Sequence, residues 1–131
     1  DFSFSGLKTA VLTAIRHQEK SGIASADLAA EFQEAVTEVL VAKSLTAVRQ
    51  CGMQRLVVAG GVGANLRLRE RLNAAAAAKG IKVFYPELAL CTDNGAMIAF
   101  CGAQRLLAGA QPGVPGVFSV RPRWPLQELL A

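Results

Sequence analysis

The chain has 131 residues, 52% of them hydrophobic and 18% charged, a composition typical of a packed globular domain rather than a disordered chain. No apolar stretch approaches the roughly 20 residues that cross a bilayer, and no basic-then-apolar amino terminus indicates a signal peptide. The net charge of +4 is compatible with a nucleic-acid or phosphate partner but does not by itself predict one.

The first part of the chain predicts a short strand followed by two helices. Polar and aromatic residues alternate over residues 1–5, as in a half-buried strand, and Ser5 is the predicted N-cap of a helix that Gly22 ends. A longer helix is predicted from about residue 25 to residue 51, with Gly52 as its stop. The apolar residues that repeat at helical spacing are Leu7, Val11 and Ile15, and then Leu28, Phe32, Val36 and Val39.

The middle of the chain predicts a β-loop-α-β unit. The unbroken apolar run at residues 56–59 is typical of a strand buried on both faces of a parallel sheet, and a glycine-rich loop follows at residues 60–65. A helix over residues 65–79 comes next, and Gly80 is its predicted stop. Its apolar stripe consists of Leu68, Leu72, Ala75 and Ala76. A strand over residues 81–85 follows. The two strands should therefore be parallel, with a right-handed crossover.

A last helix is predicted from about residue 95 to residue 107, directly after the segment Cys91-Thr92-Asp93-Asn94. The remainder, residues 111–131, holds four of the five prolines and predicts an extended strap over the surface of the same domain. The chain is therefore divided into a lobe at residues 1–110 and a strap at residues 111–131. Because the chain begins at Asp1 rather than Met, we expect it to come from a longer protein.

The three cysteines, Cys51, Cys91 and Cys101, form no Cys-x-x-Cys pair. A disulfide framework and a zinc knuckle are therefore both unexpected, and a reducing cytoplasm fits the composition. We expect all three to be buried, unreactive thiols.

Two loops should meet at one edge of the sheet. The 60–65 loop leaves the first strand, the 86–94 loop leaves the second, and ligands of parallel sheets bind at the carboxyl edge. Gly60 and Gly61 allow a sharp turn and a close approach of backbone to ligand, while the next helix directs its free N–H groups at the loop. Asn65 offers donors and an acceptor for a base or ribose, although the same residues would also serve as a simple turn and helix cap.

The glycine loop matches neither of two common nucleotide motifs. Leu66 stands where a dinucleotide fingerprint requires its third glycine, and no Gly-Lys-Ser/Thr triplet follows for a P-loop. Asp93 places a carboxylate at the same edge, either as a ligand or as an ordinary N-cap. A metal site needs several ligands, and the one histidine, His17, lies among polar residues of the first helix and is expected to be exposed. Companion ligands for Asp93 would have to lie outside this chain.

Basic residues form two further candidate contacts. Arg67 and Arg71 are one turn apart on the predicted third helix, where they would contact phosphate or RNA or form a solvated face. Arg121 and Arg123 precede Trp124, which suits either an RNA contact or an aromatic anchor for the strap.

Together these segments resemble the TsaD family, the tRNA threonylcarbamoyladenosine synthases formerly called O-sialoglycoprotein endopeptidases. The resemblance rests on residues 2–9 (FSFSGLKT), 57–65 (VVAGGVGAN) and 91–94 (CTDN), and on the ending RPRW at 121–124. It covers essentially the whole chain but not the family's amino-terminal half. Gly63 and Gly95 depart from the family pattern, since many relatives carry Ala there.

The resemblance implies that residues 1–110 are the nucleotide-binding second lobe of an α/β, actin/hexokinase/Hsp70-like (ASKHA, ribonuclease H-like) fold. It implies transfer of threonylcarbamoyl from threonylcarbamoyl-adenylate to the adenine beside the anticodon of tRNA, in the cytoplasm. By the same resemblance Gly60, Gly61 and Asn65 bind the nucleotide, and Asp93 is one ligand of a single divalent metal, Fe or Zn. The other metal ligands would be two histidines, four residues apart, in the amino-terminal lobe.

The implied partners are that lobe, a small TsaB-type paralogue and a TsaE-type P-loop ATPase, with no membrane. Since this chain has no complete catalytic set, we expect it to be inactive alone and to belong to an acyltransferase. One alternative is a non-catalytic ASKHA-fold interaction module, although the carboxylate of Asp93 argues against it. A metallopeptidase is the third hypothesis, and the sequence contains no metal-hydrolase motif that supports it.

Overall fold

The computed structural model describes residues 3–22, 24–111, 113 and 116. The helices are α1 (Ser5–Ser21), α2 (Ser25–Gln50), α3 (Leu66–Ala77) and α4 (Gly95–Leu107), and the strands are β1 (Arg55–Val57) and β2 (Lys82–Phe84). Short 3-10 turns occupy Gly61–Ala64 and Leu88–Leu90. The chain divides into two units, Asp1–Asp93 and Asn94–Ala131.

The sheet of the first unit confirms the predicted β-loop-α-β arrangement. β1 and β2 pair in parallel, with Leu56 opposite Val83, and α3 is the crossover between them. Parallel strands that are joined in this way end at the same edge of the sheet. The residues after Val57 and after Phe84 therefore emerge at one edge, as the sequence predicts.

One apolar cluster joins α2, α3 and the sheet. Leu72 and Ala76 of α3 are almost completely buried against Leu45 of α2. Leu56 and Val83 pack on this cluster from the sheet. The predicted apolar stripe of α3 is thus confirmed, since residues four apart lie on one face of a helix.

Glycines close the two helices that build this core. α2 ends at Gln50 and is followed by Gly52 with φ +64°, and α3 ends at Ala77 and is followed by Gly80 with φ +68°. This left-handed conformation is the usual end of a helix and favours glycine. Both predicted stops are confirmed.

Two expectations about strands are wrong. Ser3 and Phe4 are not in a strand, and α1 begins at Ser5 itself, because a strand needs a hydrogen-bonded neighbour and none of the described residues supplies one here. Residues 1 and 2 lie outside the described residues. β1 is also not buried on both faces: Val57 is 72% exposed and its partner Phe84 is 49% exposed. The helices α2 and α3 cover only the opposite face of the sheet, which carries Leu56 and Val83.

The second unit contains α4, with the predicted bounds. Its N-cap is Asn94, whose Oδ1 accepts a hydrogen bond from the Met97 N–H at 2.8 Å. Most of the predicted strap, including Arg121 and Arg123, lies outside the described residues. Across the described helices, none is both long enough and apolar enough to cross a membrane.

The cysteines only partly match the expectation of buried thiols. Cys91 is buried, but Cys51 and Cys101 are exposed, because Cys51 caps the carboxyl end of α2 and Cys101 lies on an exposed stretch of α4. All three are free. His17 is exposed, as predicted.

Candidate functional site

The loop between β1 and α3 turns sharply at Gly60. Its φ of +91° and ψ of 169° define a backbone conformation that is essentially restricted to glycine. A 3-10 turn follows from Gly61, and the Gly63 N–H donates to the Gly60 carbonyl at 2.9 Å. A Cβ on Gly60 or Gly61 would meet no described atom within 4 Å. This bend therefore presents backbone that a ligand can approach closely.

Asn65 ends the loop and caps α3. Its Oδ1 accepts from the Leu68 N–H at 2.9 Å, and its Nδ2 donates to Oε1 of Gln33 at 3.0 Å. The capping role that the sequence left open is thus observed. An amide group has two donor hydrogens and two acceptor lone pairs, so half of its hydrogen-bonding capacity remains for a ligand.

Arg69 joins the glycine loop to the segment after β2. Its Nε donates to the Gly63 carbonyl at 2.6 Å, and its Nη2 donates to the Pro86 carbonyl at 3.0 Å. The same Nη2 lies 3.3 Å from Sγ of Cys91. One guanidinium therefore contacts both predicted loops, which confirms that they lie side by side at one edge of the sheet. Sequence reasoning missed this residue, because helical spacing separates Arg69 from Arg67 and Arg71 but does not identify the groups that each face contacts.

The guanidinium of Arg69 is itself held in place. Its carbon lies 4.5 Å from the ring centroid of Tyr85, within the range of a cation–π contact. The Tyr85 hydroxyl donates to Oδ1 of Asn73 on α3 at 3.0 Å. Burial raises the pKa of Tyr85, while the nearby positive charge of Arg69 acts in the opposite direction. The ring therefore stays neutral at physiological pH and serves as a packing surface for Arg69.

Asp93 lies two residues beyond the buried thiol of Cys91. That thiol donates to the Glu87 carbonyl at 3.4 Å, which ties the segment back on itself. Asp93 is exposed and does not cap α4, because Asn94 performs that role. No ion pair involving Asp93 is found among the described residues. The described part of the chain contains no group of three or more potential metal-ligating side chains, so Asp93 could supply only one ligand here.

Arg67 and Arg71, predicted to contact phosphate or RNA or to form a solvated face, are paired with an acidic residue of the chain and stay partly exposed. Arg67 and Arg71 of α3 both contact the carboxylate of Glu34 on α2, at 2.5 Å and 3.0 Å respectively. The hydrogen bond from Arg67 lowers the pKa of Glu34, and the same bond raises the pKa of Arg67. No local pattern predicts these ion pairs, because Glu34 is 33 positions from Arg67 and 37 positions from Arg71.

A cleft of about 520 Å³ opens beside the glycine loop. Val62 and Asn65 form its wall on the loop side. Its other walls are mainly apolar and come from Phe4, just before α1, and from Phe32, Val36 and Leu40 of α2. Apolar walls with a few polar groups are typical of sites for planar organic ligands.

Comparison with known proteins agrees with these features. The family described as "TsaD: tRNA N6-adenosine threonylcarbamoyltransferase" matches residues 1–100. A tRNA N6-adenosine threonylcarbamoyltransferase of Aromatoleum aromaticum is 60% identical over 129 residues, which are 98% of this chain and 38% of the relative. One from Chromobacterium violaceum is 60% identical over 136 residues, covering 100% of this chain and 39% of the relative. The chain thus spans less than two fifths of the length of these curated relatives.

Proposed function

The chain belongs to the TsaD family, and from this premise we propose that it is the carboxyl-terminal, nucleotide-binding lobe of a tRNA-modifying acyltransferase. Family membership implies an ASKHA-like fold. The reaction of the whole protein would be transfer of threonylcarbamoyl from threonylcarbamoyl-adenylate to the adenine beside the anticodon of tRNA. The names of the similar proteins, all tRNA N6-adenosine threonylcarbamoyltransferases, support this reaction.

The observation that carries the proposal is the attachment of two loops to one guanidinium. The bend at Gly60 and the segment that leads to Asp93 are linked through Arg69 at a single sheet edge. Ligands of parallel α/β sheets bind at this edge. A nucleotide on the first loop and a metal ligand on the second would therefore act on the same substrate.

Within this proposal each residue has a distinct task. The open backbone at Gly60 and Gly61 admits the phosphate or ribose, and the free N–H groups at the start of α3 favour an anion there. Asn65 contributes its remaining hydrogen-bonding capacity to the nucleotide. The adjoining apolar cleft is large enough for a base.

Asp93 would hold the family's divalent metal, Fe or Zn, as one ligand. An exposed carboxylate without an ion-pair partner in the described part of the chain fits this role, since carboxylate oxygens are accepted ligands of both metals. The remaining ligands would come from outside the described residues. When bound, the metal would supply Lewis-acid polarisation.

It follows that this chain alone would be inactive. Its partners would be the amino-terminal lobe, a TsaB-type paralogue and a TsaE-type ATPase, and it would act on tRNA in the cytoplasm. The sheet face that carries Val57 and Phe84 supports a need for additional covering structure, because these two apolar side chains are left exposed beside Arg55 and Lys82.

The test is made on a full-length family protein that contains this chain. Metal content and AMP affinity, the latter from isothermal titration, are measured for the wild type, for Asp93→Ala and for Glu87→Ala, an exposed acid of the same segment. We expect Asp93→Ala to lose the metal and Glu87→Ala to keep it. Retention of metal by Asp93→Ala would overturn its role. A wild type that binds no AMP would overturn the nucleotide role and favour the interaction module.

A further inference from the structure

We infer that Arg69 is a positioning residue, which keeps the glycine loop and the Asp93 segment in fixed relation so that they act on one substrate. This inference rests on the proposed function for its consequence, and on the contacts of Arg69 for its geometry. Arg69 itself need not touch the substrate.

The geometry of the guanidinium is what makes the link rigid. Two different nitrogens, Nε and Nη2, donate to the carbonyls of Gly63 and Pro86. Because the guanidinium is planar and its N–H directions are fixed, two carbonyls bound to it cannot move independently. A flexible ammonium group would satisfy either carbonyl without fixing the angle between them.

Arg69 packs on an aromatic ring and has different partners from the other arginines of α3. The Tyr85 ring packs against its guanidinium, and Tyr85 is tied to α3 through Asn73. Arg67 and Arg71 point instead to Glu34 on α2. Residues two apart on a helix face different directions, so α3 uses one face to dock on α2 and another to hold the loops.

The bound carbonyls are close in sequence to the proposed ligand-binding groups. Gly63 lies two residues before Asn65, within the same 3-10 turn and cap. On the other loop, Cys91 also contacts Arg69 and lies two residues before Asp93. A shift of either loop against Arg69 would therefore change the separation of Asn65 and Asp93.

Loss of the link should weaken binding more than it weakens the fold. Without the link, substrate binding would have to order both loops, which lowers affinity. A misplacement of about 1 Å in a site is also enough to reduce rates on the order of 100-fold. The three buried core residues Leu45, Leu72 and Ala76 are not among the partners of Arg69, and Tyr85 packs against them with or without the guanidinium. The loss should therefore be confined to the two loops.

The experiment compares Arg69→Met, Arg69→Lys and the control Arg67→Met in a full-length family protein that contains this chain. Amide hydrogen exchange is followed at residues 61–65 and 87–93, together with AMP affinity, kcat and the melting temperature. In Arg69→Met we expect faster exchange in both loops and AMP affinity lower by about 10- to 100-fold. Arg69→Lys should be intermediate, because it keeps the charge but not the planar donors.

The control separates positioning from general stability. Arg67→Met should lower the melting temperature but leave loop exchange and AMP affinity at wild-type values, because the partners of Arg67 among the described residues, Glu34 and Glu70, lie on helices and in neither loop. Unchanged exchange in both loops of Arg69→Met, or an equal effect of Arg67→Met, would overturn the inference. If Arg69→Met does not fold, the same exchange and affinity measurements on Arg69→Lys test the inference. Faster exchange in both loops with unchanged AMP affinity would support the positioning of the loops by Arg69 and contradict the nucleotide role proposed for them.

Discussion

Arg67 of α3 binds Glu34 of α2 through two nitrogens, with Nε 2.5 Å from Oε1 and Nη2 3.1 Å from Oε2. Arg71 reaches the same carboxylate at 3.0 Å, and its Nη1 also donates to Oγ1 of the buried Thr37 at 3.2 Å. These contacts join α3, the helix that follows the glycine loop, to α2. Helix α2, which forms part of the wall of the cleft beside the glycine loop, is thus joined to α3 by ion pairs.

Stability should depend on pH through Glu34. The hydrogen bond from Arg67 lowers the pKa of Glu34 in the folded protein. The stabilisation of the folded state by the Glu34–Arg67 interaction is therefore complete above the pKa of an unfolded glutamate, about 4.3. It is lost as the pH falls through the lower folded-state value, because the unfolded chain then binds the proton more readily.

Urea unfolding from pH 7 down to pH 3 would measure this effect. We expect Glu34→Gln to have a lower urea midpoint than the wild type at pH 7, with the difference narrowing at the acid end. Glu38→Gln is the control, since Glu38 is exposed on the same helix and forms no ion pair among the described residues. A difference that stayed constant across this pH range would contradict the assignment.

Alanine should have opposite effects at two glycines of the same loop. Gly60 has φ +91° and ψ 169°, so Gly60→Ala should destabilise the fold by about 1–3 kcal/mol. Gly63 does not have a positive φ, and an added Cβ would lie 3.5 Å from Cγ1 of Val58, an ordinary contact. Gly63→Ala should therefore stabilise the fold by about 0.4–1 kcal/mol, by restricting the unfolded chain. If both variants changed the melting temperature equally in thermal unfolding, the backbone strain of the loop would not lie at Gly60.

Two substitutions at Asn65 should separate capping from ligand binding. Asn65→Ala removes the acceptor for the Leu68 N–H and should cost about 1 kcal/mol of stability. Asn65→Asp keeps that acceptor and should remain near wild-type stability, since a carboxylate is favourable at a helix amino terminus. Both should reduce AMP affinity of the full-length protein about tenfold, because both lose the amide donor. Wild-type AMP affinity in Asn65→Asp would leave capping as the only role of this residue.

Neighbouring residues at the start of α4 should also differ in their effects. Asn94→Ala removes the acceptor for the Met97 N–H and should cost about 1 kcal/mol. Asp93→Asn in the metal-free protein should change stability by less than about 0.5 kcal/mol, because Asp93 is exposed and is not the cap. Urea midpoints of the two variants, measured with a chelator present, would provide the comparison. A large loss in Asp93→Asn would indicate a structural role instead.

The sequence alone determined the order and type of most elements. Apolar spacing located α2 and α3, and glycines marked where both helices end, because helix periodicity and the left-handed turn are local properties of the chain. The parallel pairing of β1 and β2 followed from the length of the connection between them. The two loops and their placement at one sheet edge could therefore be predicted.

Only the tertiary structure decided what holds that edge together. Helical spacing places Arg67 and Arg71 on one face and Arg69 on another, but only the structure shows that the first two bind Glu34 and that Arg69 bridges Gly63 and Pro86. The exposure of Val57 could likewise not be predicted from the sequence, because burial depends on which elements pack on a strand. Local patterns specify secondary structure, whereas the partner of a charged side chain is set by residues distant in sequence that folding brings within hydrogen-bonding distance.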